Sequence, residues 1–267
     1  MKHRYAFLLS LKLLEYEIRQ LTDFSRQCSD CFDLLQTKLE DLCRFMVSEE
    51  NERQWLLWSD HEEIRQHSER LRETSAQALC DMEKYQSIRM LERQMDMGRY
   101  LSALSDAVYD ELRHFRISRT SKVLFVGAGA FPLTALTVAK ETRADVLCLD
   151  IDAEALDLGG RMAEASGLHD KVQFSGHGLK EELPFVKEAT HVMVASLVKN
   201  KLEVLEDLRQ VVHPDASIIL RYGNGLKSIF NYPLEKDLSQ EWELSPVVQS
   251  RGIYDTLMIK PKWTEGR

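Results

Sequence analysis

The sequence predicts an α-helical bundle over residues 1–118, followed by a Rossmann-like α/β domain over residues 119–267. Two observations carry that reading. Backbone punctuation is nearly absent from the first part: no proline precedes Pro132, and Gly98 is the one glycine before Gly127. Glycine and proline are the residues least compatible with helix interiors, so a stretch this free of them propagates helix. From Lys122 onward, short apolar runs alternate with helix-like segments, which is the pattern of parallel βαβ units.

In the first part apolar residues recur at helical spacing, as in Leu11, Leu14, Ile18 and Leu21, and again in Leu35, Leu39 and Leu42. Charged residues fill the positions between, so each helix has one face to bury. Cys28-Ser-Asp-Cys31 has the spacing of a redox or metal pair, but it falls within this helical pattern and no second pair completes a site. It reads as ordinary helix cysteines.

In the second part the strand candidates are Val123–Val126, Val146–Leu149, Val172–Phe174, Val192–Ala195 and Ile218–Leu220, with two more near Trp242–Val248 and Tyr254–Ile259. The last two have no long helix between them and suggest an antiparallel hairpin at the sheet edge. A seven-stranded, mostly parallel sheet that ends this way is more typical of S-adenosylmethionine-dependent transferases than of dehydrogenases.

Composition narrows the function classes. A net charge of −8 and the lack of any basic stripe argue against nucleic acid or an anionic membrane as the main partner. The start, Met1-Lys-His-Arg-Tyr-Ala-Phe-Leu-Leu9, superficially resembles a signal peptide, but Lys12, Glu15 and Glu17 interrupt its apolar run. No segment reaches the roughly 20 apolar residues that span a bilayer. A cytoplasmic location is therefore expected, and five cysteines, an odd count, do not suggest a disulfide framework.

The chemistry starts at Val126-Gly-Ala-Gly-Ala-Phe-Pro132. It lies between a strand and a helix, where an open α/β sheet binds its ligand. Gly127 and Gly129 carry no Cβ and allow close approach of the backbone. Pro132 suits the first turn of the next helix, where its missing N–H is not needed. The second strand ends in Asp150, about 20 residues beyond the glycines, a spacing that suits hydrogen bonds to ribose hydroxyls. A dinucleotide fingerprint would place a third glycine here. S-adenosylmethionine has no phosphates and needs no such cradle, so it is the expected ligand. Phe131, Ile151, His177, Gly178 and Ala195 complete the expected set of contacts, with Gly176-His-Gly178 bordering the adenine. No His/Asp/Glu cluster has metal-ligand spacing, and no metal is expected.

Two stretches resemble nicotianamine synthases. Phe125-Val-Gly-Ala-Gly-Ala-Phe-Pro-Leu-Thr134 is similar to that family's FVGSGPLPLTS signature. Leu220-Arg-Tyr-Gly-Asn-Gly-Leu-Lys-Ser-Ile-Phe-Asn-Tyr-Pro233 resembles its LRSAHGxRxFLYP, with one extra residue before Tyr-Pro. Within the family, Ala78-Leu-Cys-Asp-Met-Glu-Lys-Tyr-Gln86 looks like the short bacterial members that make opine-type metallophores such as staphylopine. The resemblance implies transfer of one 3-amino-3-carboxypropyl (2-aminobutanoyl) group from S-adenosylmethionine to the amine of histidine, with release of 5'-methylthioadenosine. It points to D-histidine over L-histidine, though the sequence itself leaves the chirality open. It also implies a product passed to an opine dehydrogenase, and leaves a homodimer open.

Such a transfer needs an amine, mostly protonated at neutral pH, to lose a proton as it attacks the γ-carbon beside the sulfonium. The resemblance places a glutamate and a tyrosine of the helical half in that role and nominates Glu83 and Tyr100, with Glu73 and Tyr109 as rivals. Arg221, ending the fifth strand, suits a substrate carboxylate because a guanidinium grips it bidentately. Tyr232 is the second expected substrate contact.

Overall fold

The computed structural model describes residues 2–92, 112–247 and 252–262. Tyr100 and Tyr109 lie outside the described residues. The chain divides into two compact units. One comprises Met1–Tyr85, Arg221–Glu235 and Val248–Thr256, and the other Gln86–Leu220, Lys236–Val247 and Leu257–Arg267.

The first unit contains α1 (Lys2–Ser25), α2 (Cys31–Met46), α3 (Glu49–Trp58) and most of α4 (Glu62–Glu92). The periodicity read from sequence is the buried face: Leu11, Leu14 and Ile18 of α1 pack with Leu35, Leu39 and Leu42 of α2 and with Ile64, Leu71 and Ala78 of α4. Burying each of the larger side chains contributes roughly 1.5–3 kcal/mol. Ser48 starts α3 by accepting a hydrogen bond from the Asn51 N–H, satisfying one of the donors a helix start leaves open. The C-terminal half of the chain adds Leu226, Ile229 and Phe230 to the same core. They lie on or just after a 3₁₀ turn, Gly225–Ile229.

The Cys28–Cys31 pair does not lie within one helix. Cys28 lies in the turn between α1 and α2, and Cys31 is the first residue of α2. The helical pattern read across them belongs to two helices separated by a short turn whose residues are also polar, so periodicity alone does not reveal the break.

The second unit is built on a seven-stranded sheet of order β3-β2-β1-β4-β5-β7-β6. The strands are β1 (Lys122–Val126), β2 (Asp145–Leu149), β3 (Val172–Ser175), β4 (His191–Val194), β5 (Ser217–Tyr222), β6 (Trp242–Val247) and β7 (Asp255–Pro261). Those from β1 to β5 pair in parallel, with Val123 opposite both Val146 and His191, and Val194 opposite Leu220. Helices α5 (Leu133–Thr142), α6 (Ala153–Ala165), α7 (Leu183–Glu188) and α8 (Lys201–Val211) make the crossovers. The strand centres are apolar on both faces, as layers of helix on each side require. β1 sits between β2 and β4, so the order reverses at β1 and opens a crevice at the carboxyl ends of the strands. Among the described residues, no helix is long and apolar enough to cross a membrane.

Candidate functional site

The reversal point is fastened by backbone hydrogen bonds. Gly127 N–H donates to Leu149 O at the end of β2 (2.8 Å), and Ala195 N–H donates to Val126 O at the end of β1 (3.0 Å). Gly127 and Gly129 both have positive φ, 80° and 69°, the region where a side chain is strained. A Cβ on Gly127 would also stand 2.6 Å from Val198 Cγ2 and 3.3 Å from Ala195 Cβ, so this glycine is required by the loop after β4. That loop is held from beneath by Lys201, which is buried and donates to Ser196 O (2.7 Å) and Val198 O (2.6 Å).

Asp150 meets the glycine turn directly. Its Oδ2 accepts the Gly129 N–H at 2.8 Å, and its Oδ1 accepts the Asp152 N–H at 3.1 Å. Each carboxylate oxygen keeps a further lone pair for a diol. Ile151, beside it, is fully exposed, which is unusual for a large aliphatic side chain and suits the face of a purine. The turn is also tied to α4: Ser87, buried on that helix, donates to Ala130 O at 2.7 Å.

Phe131 is half-buried and packs against the main core of this unit. Pro132 is the N-cap residue immediately before α5, one position earlier than the first-turn place expected of it. The chain turns into α5 only after it, because residues 127 to 131 are spent on the glycine turn. His177 and Gly178 lie on the exposed loop after β3. The His177 backbone N–H donates to Ser175 Oγ (3.1 Å), and its ring stands 3.6 Å from Glu182.

The remaining nominated residues fall in the helical unit. Tyr232 is buried, and its hydroxyl donates to Glu73 Oε2 at 2.9 Å. The Arg72 guanidinium lies over the Tyr232 ring, 5.3 Å from its centroid, and donates to Ser228 O at 2.9 Å. Burial, and then the bond to the Glu73 carboxylate, push the Tyr232 hydroxyl pKa up to about 12, so it is a firm hydrogen-bond donor at neutral pH. Arg221, buried at the end of β5, places its guanidinium 5.2 Å from the centre of the Tyr254 ring. Between Arg221 and Tyr232 the chain folds back on itself, Gly223 N–H donating to Tyr232 O (3.2 Å), and it is tied to the segment leading into β7: Asn231 donates to Ile253 O (2.8 Å), and Lys227 pairs with Asp255 (2.6 Å). Gly223 is needed for this fold, since a Cβ there would lie 2.7 Å from both Asn231 Cβ and Lys227 O.

Glu83 is half-buried on α4. Glu73 lies ten positions earlier on the same helix, about 15 Å along its axis. Asp81 is a carboxylate of α4 that sequence reasoning did not nominate. Its side chain is 18% exposed, and it pairs with Arg26 at 3.0 Å. Among the described residues, no group of three His, Cys, Asp or Glu side chains is arranged to hold a metal ion.

Comparison with known proteins decides the family. The profile described as "Nicotianamine synthase protein" matches residues 7–264. The chain belongs to the nicotianamine synthase family. Relatives of this chain carry the name L-histidine 2-aminobutanoyltransferase. One, from Pseudomonas aeruginosa (strain UCBPP-PA14), is 39% identical over 260 residues, covering 97% of this chain and 98% of its own. Another, from Yersinia pestis, is 32% identical over 256 residues, covering 95% of each. Both names specify the L isomer, so the expected preference for D-histidine has no counterpart in them. Among solved structures, a glutamate-to-glutamine mutant of MtNAS superposes with a TM-score of 0.75 at 17% identity, covering 94% of this chain and 98% of that one. The same mutant in complex with S-adenosylmethionine gives 0.73 at 17% identity, over 92% of this chain and 97% of that one. These likenesses establish the fold of this nicotianamine synthase family member.

Proposed function

We propose that this protein transfers the 3-amino-3-carboxypropyl group of S-adenosylmethionine to the amine of L-histidine, releasing 5'-methylthioadenosine. The observation that carries the reading is the near end-to-end likeness to a relative named L-histidine 2-aminobutanoyltransferase, 39% identical over 97% of this chain and 98% of its own. The L isomer is taken from that name.

The glycine turn and Asp150 fit the nucleoside of the donor. The backbone turn with positive φ leaves room for close approach, Asp150 offers acceptors for ribose hydroxyls, and Ile151 offers an apolar face for the base. Phe131, Pro132, His177, Gly178 and Ala195 belong to the same set of proposed contacts. Arg221 is assigned to a substrate carboxylate and Tyr232 to the substrate itself. Because Glu73 already accepts the Tyr232 hydroxyl, we assign it the task of orienting that tyrosine. The proton of the attacking amine then goes to Glu83, with Tyr100 as its assigned partner. No metal takes part in this scheme. The transferred unit brings a primary amine and a carboxylate to the product, which suits reductive coupling to a keto acid by an opine dehydrogenase. That partner, a homodimer, a cytoplasmic location and the domain division at residues 118 and 119 complete the proposal.

Incubation with S-adenosylmethionine and either L- or D-histidine, followed by mass spectrometry, tests it. The expected result is one aminobutanoyl adduct of L-histidine together with 5'-methylthioadenosine. S-Adenosylhomocysteine as the sole nucleoside product would make the protein a methyltransferase, and repeated transfer without histidine would make it a nicotianamine synthase proper.

A further inference from the structure

The turn joining α1 to α2 carries two thiols with no place in the proposed reaction. Cys31 N–H donates to Cys28 O at 3.0 Å, a bond between residues three apart that closes a tight turn. Such a turn keeps its end α-carbons within about 7 Å, a span that overlaps the 4.4–6.8 Å at which a disulfide forms without backbone rearrangement. The Cys28 thiol neighbours Cys31 closely enough to contribute, after desolvation, to raising the Cys31 thiol pKa. Cys28 is exposed, while Cys31 is half-buried. The segment is pinned to α4 on both sides of the pair: Arg26 bonds Asp81 at 3.0 Å, and the Phe32 ring stacks on Tyr85 with centroids 4.0 Å apart and planes 11° apart.

We propose that Cys28 and Cys31 form a reversible dithiol–disulfide site that transmits thiol redox state to the Asp81–Tyr85 stretch of α4. The oxidant is a small-molecule disulfide such as glutathione disulfide. The Cys28 thiolate attacks one sulfur of the oxidant, breaking its S–S bond and releasing one thiolate, which takes up a proton. Cys31 then loses its proton and attacks the Cys28 sulfur of the mixed disulfide, releasing the second thiol. Two electrons and two protons have passed from the cysteines to the oxidant. Exposure makes Cys28 the attacking residue. Desolvation, and then the neighbouring Cys28, raise the Cys31 thiol pKa above its ordinary range, so Cys31 is the poorer first nucleophile. Closing an S–S bond of about 2.05 Å draws the turn in. Arg26 and Phe32 flank the pair and are displaced with it.

The test uses the full chain. After treatment with glutathione disulfide, remaining thiols are alkylated and the protein is digested with trypsin, whose cleavage after Arg26 and Lys38 isolates a peptide, Gln27–Lys38, with these two cysteines and no other. The expected result is that this peptide becomes predominantly internally bridged and returns to the reduced form with dithiothreitol. Cys31→Ser should trap glutathione on Cys28, and Cys28→Ser should leave Cys31 without glutathione. Backbone amide exchange over Leu79–Tyr85 should be faster in the bridged protein than in the reduced one. A Cys28–glutathione adduct that never closes in the unmutated protein, two thiols that remain alkylatable, or unchanged exchange in the bridged form would each overturn the proposal.

Discussion

The Tyr232 hydroxyl donates to Glu73 Oε2 at 2.9 Å across 159 residues of chain. It ties the second family motif to α4. The proposed function assigns Glu73 to orienting this tyrosine and the proton of the attacking amine to Glu83. Glu83→Gln is therefore expected to lower turnover by about 10²–10⁴-fold at neutral pH, the range for a lost general base, with partial recovery at higher pH where more amine is already neutral. Glu73→Gln should cost roughly 10- to 100-fold, appearing mainly as a raised KM for histidine, as for a hydrogen bond to a charged group worth about 1.5–3 kcal/mol. Steady-state kinetics of the two variants decide the matter. The reverse order of effects would exchange the roles, and full activity in both would turn attention to Asp81.

Asp150 is expected to hold the donor's ribose. Asp150→Ala removes an acceptor from the Gly129 and Asp152 N–H groups as well as from the ligand. Affinity for S-adenosylmethionine should fall by about 10- to 100-fold, equivalent to roughly 1.5–3 kcal/mol. Titration calorimetry measures this directly, and binding of NAD in preference to S-adenosylmethionine would remove the assignment.

Arg221→Lys keeps the charge but loses the planar fork and its stacking on Tyr254. The expected outcome is a KM for one amino-acid substrate raised by about tenfold or more, with turnover at saturation changed much less. Unchanged constants for both substrates would return Arg221 to a purely structural part.

His191 is the clearest pH-sensitive group of the α/β unit. Its Nε2 lies 2.9 Å from Phe115 O and its Nδ1 2.8 Å from Thr190 Oγ1. A carbonyl can only accept, so the neutral ring carries its proton on Nε2 and accepts from the threonine hydroxyl. Burial is the largest influence and lowers the His191 pKa below 6.5. As pH falls below 6.5 the unfolded chain takes up a proton that the folded one does not, so stability should decline with acidification until the folded pKa is reached. Urea denaturation between pH 7 and 5 should show this slope, and His191→Gln should reduce it. A profile identical in the two proteins would exclude His191 as its source.

Local pattern determined much of this protein. Helical periodicity placed the buried faces of α1 and α2, and apolar runs placed every strand to within a few residues, because both depend on spacing along a short segment. The glycine turn and Asp150 were legible for the same reason, each being fixed by its position at a strand end. Tertiary structure alone decided which distant residues meet. No spacing rule links Tyr232 to Glu73, or carries Leu226 and Phe230 into a core built by α1, α2 and α4. Those pairings arise from packing a folded-back loop against helices far away in sequence. Likewise, the turn that takes Cys28 out of a helix became visible only once α1 and α2 had to reverse against each other to bury their apolar faces.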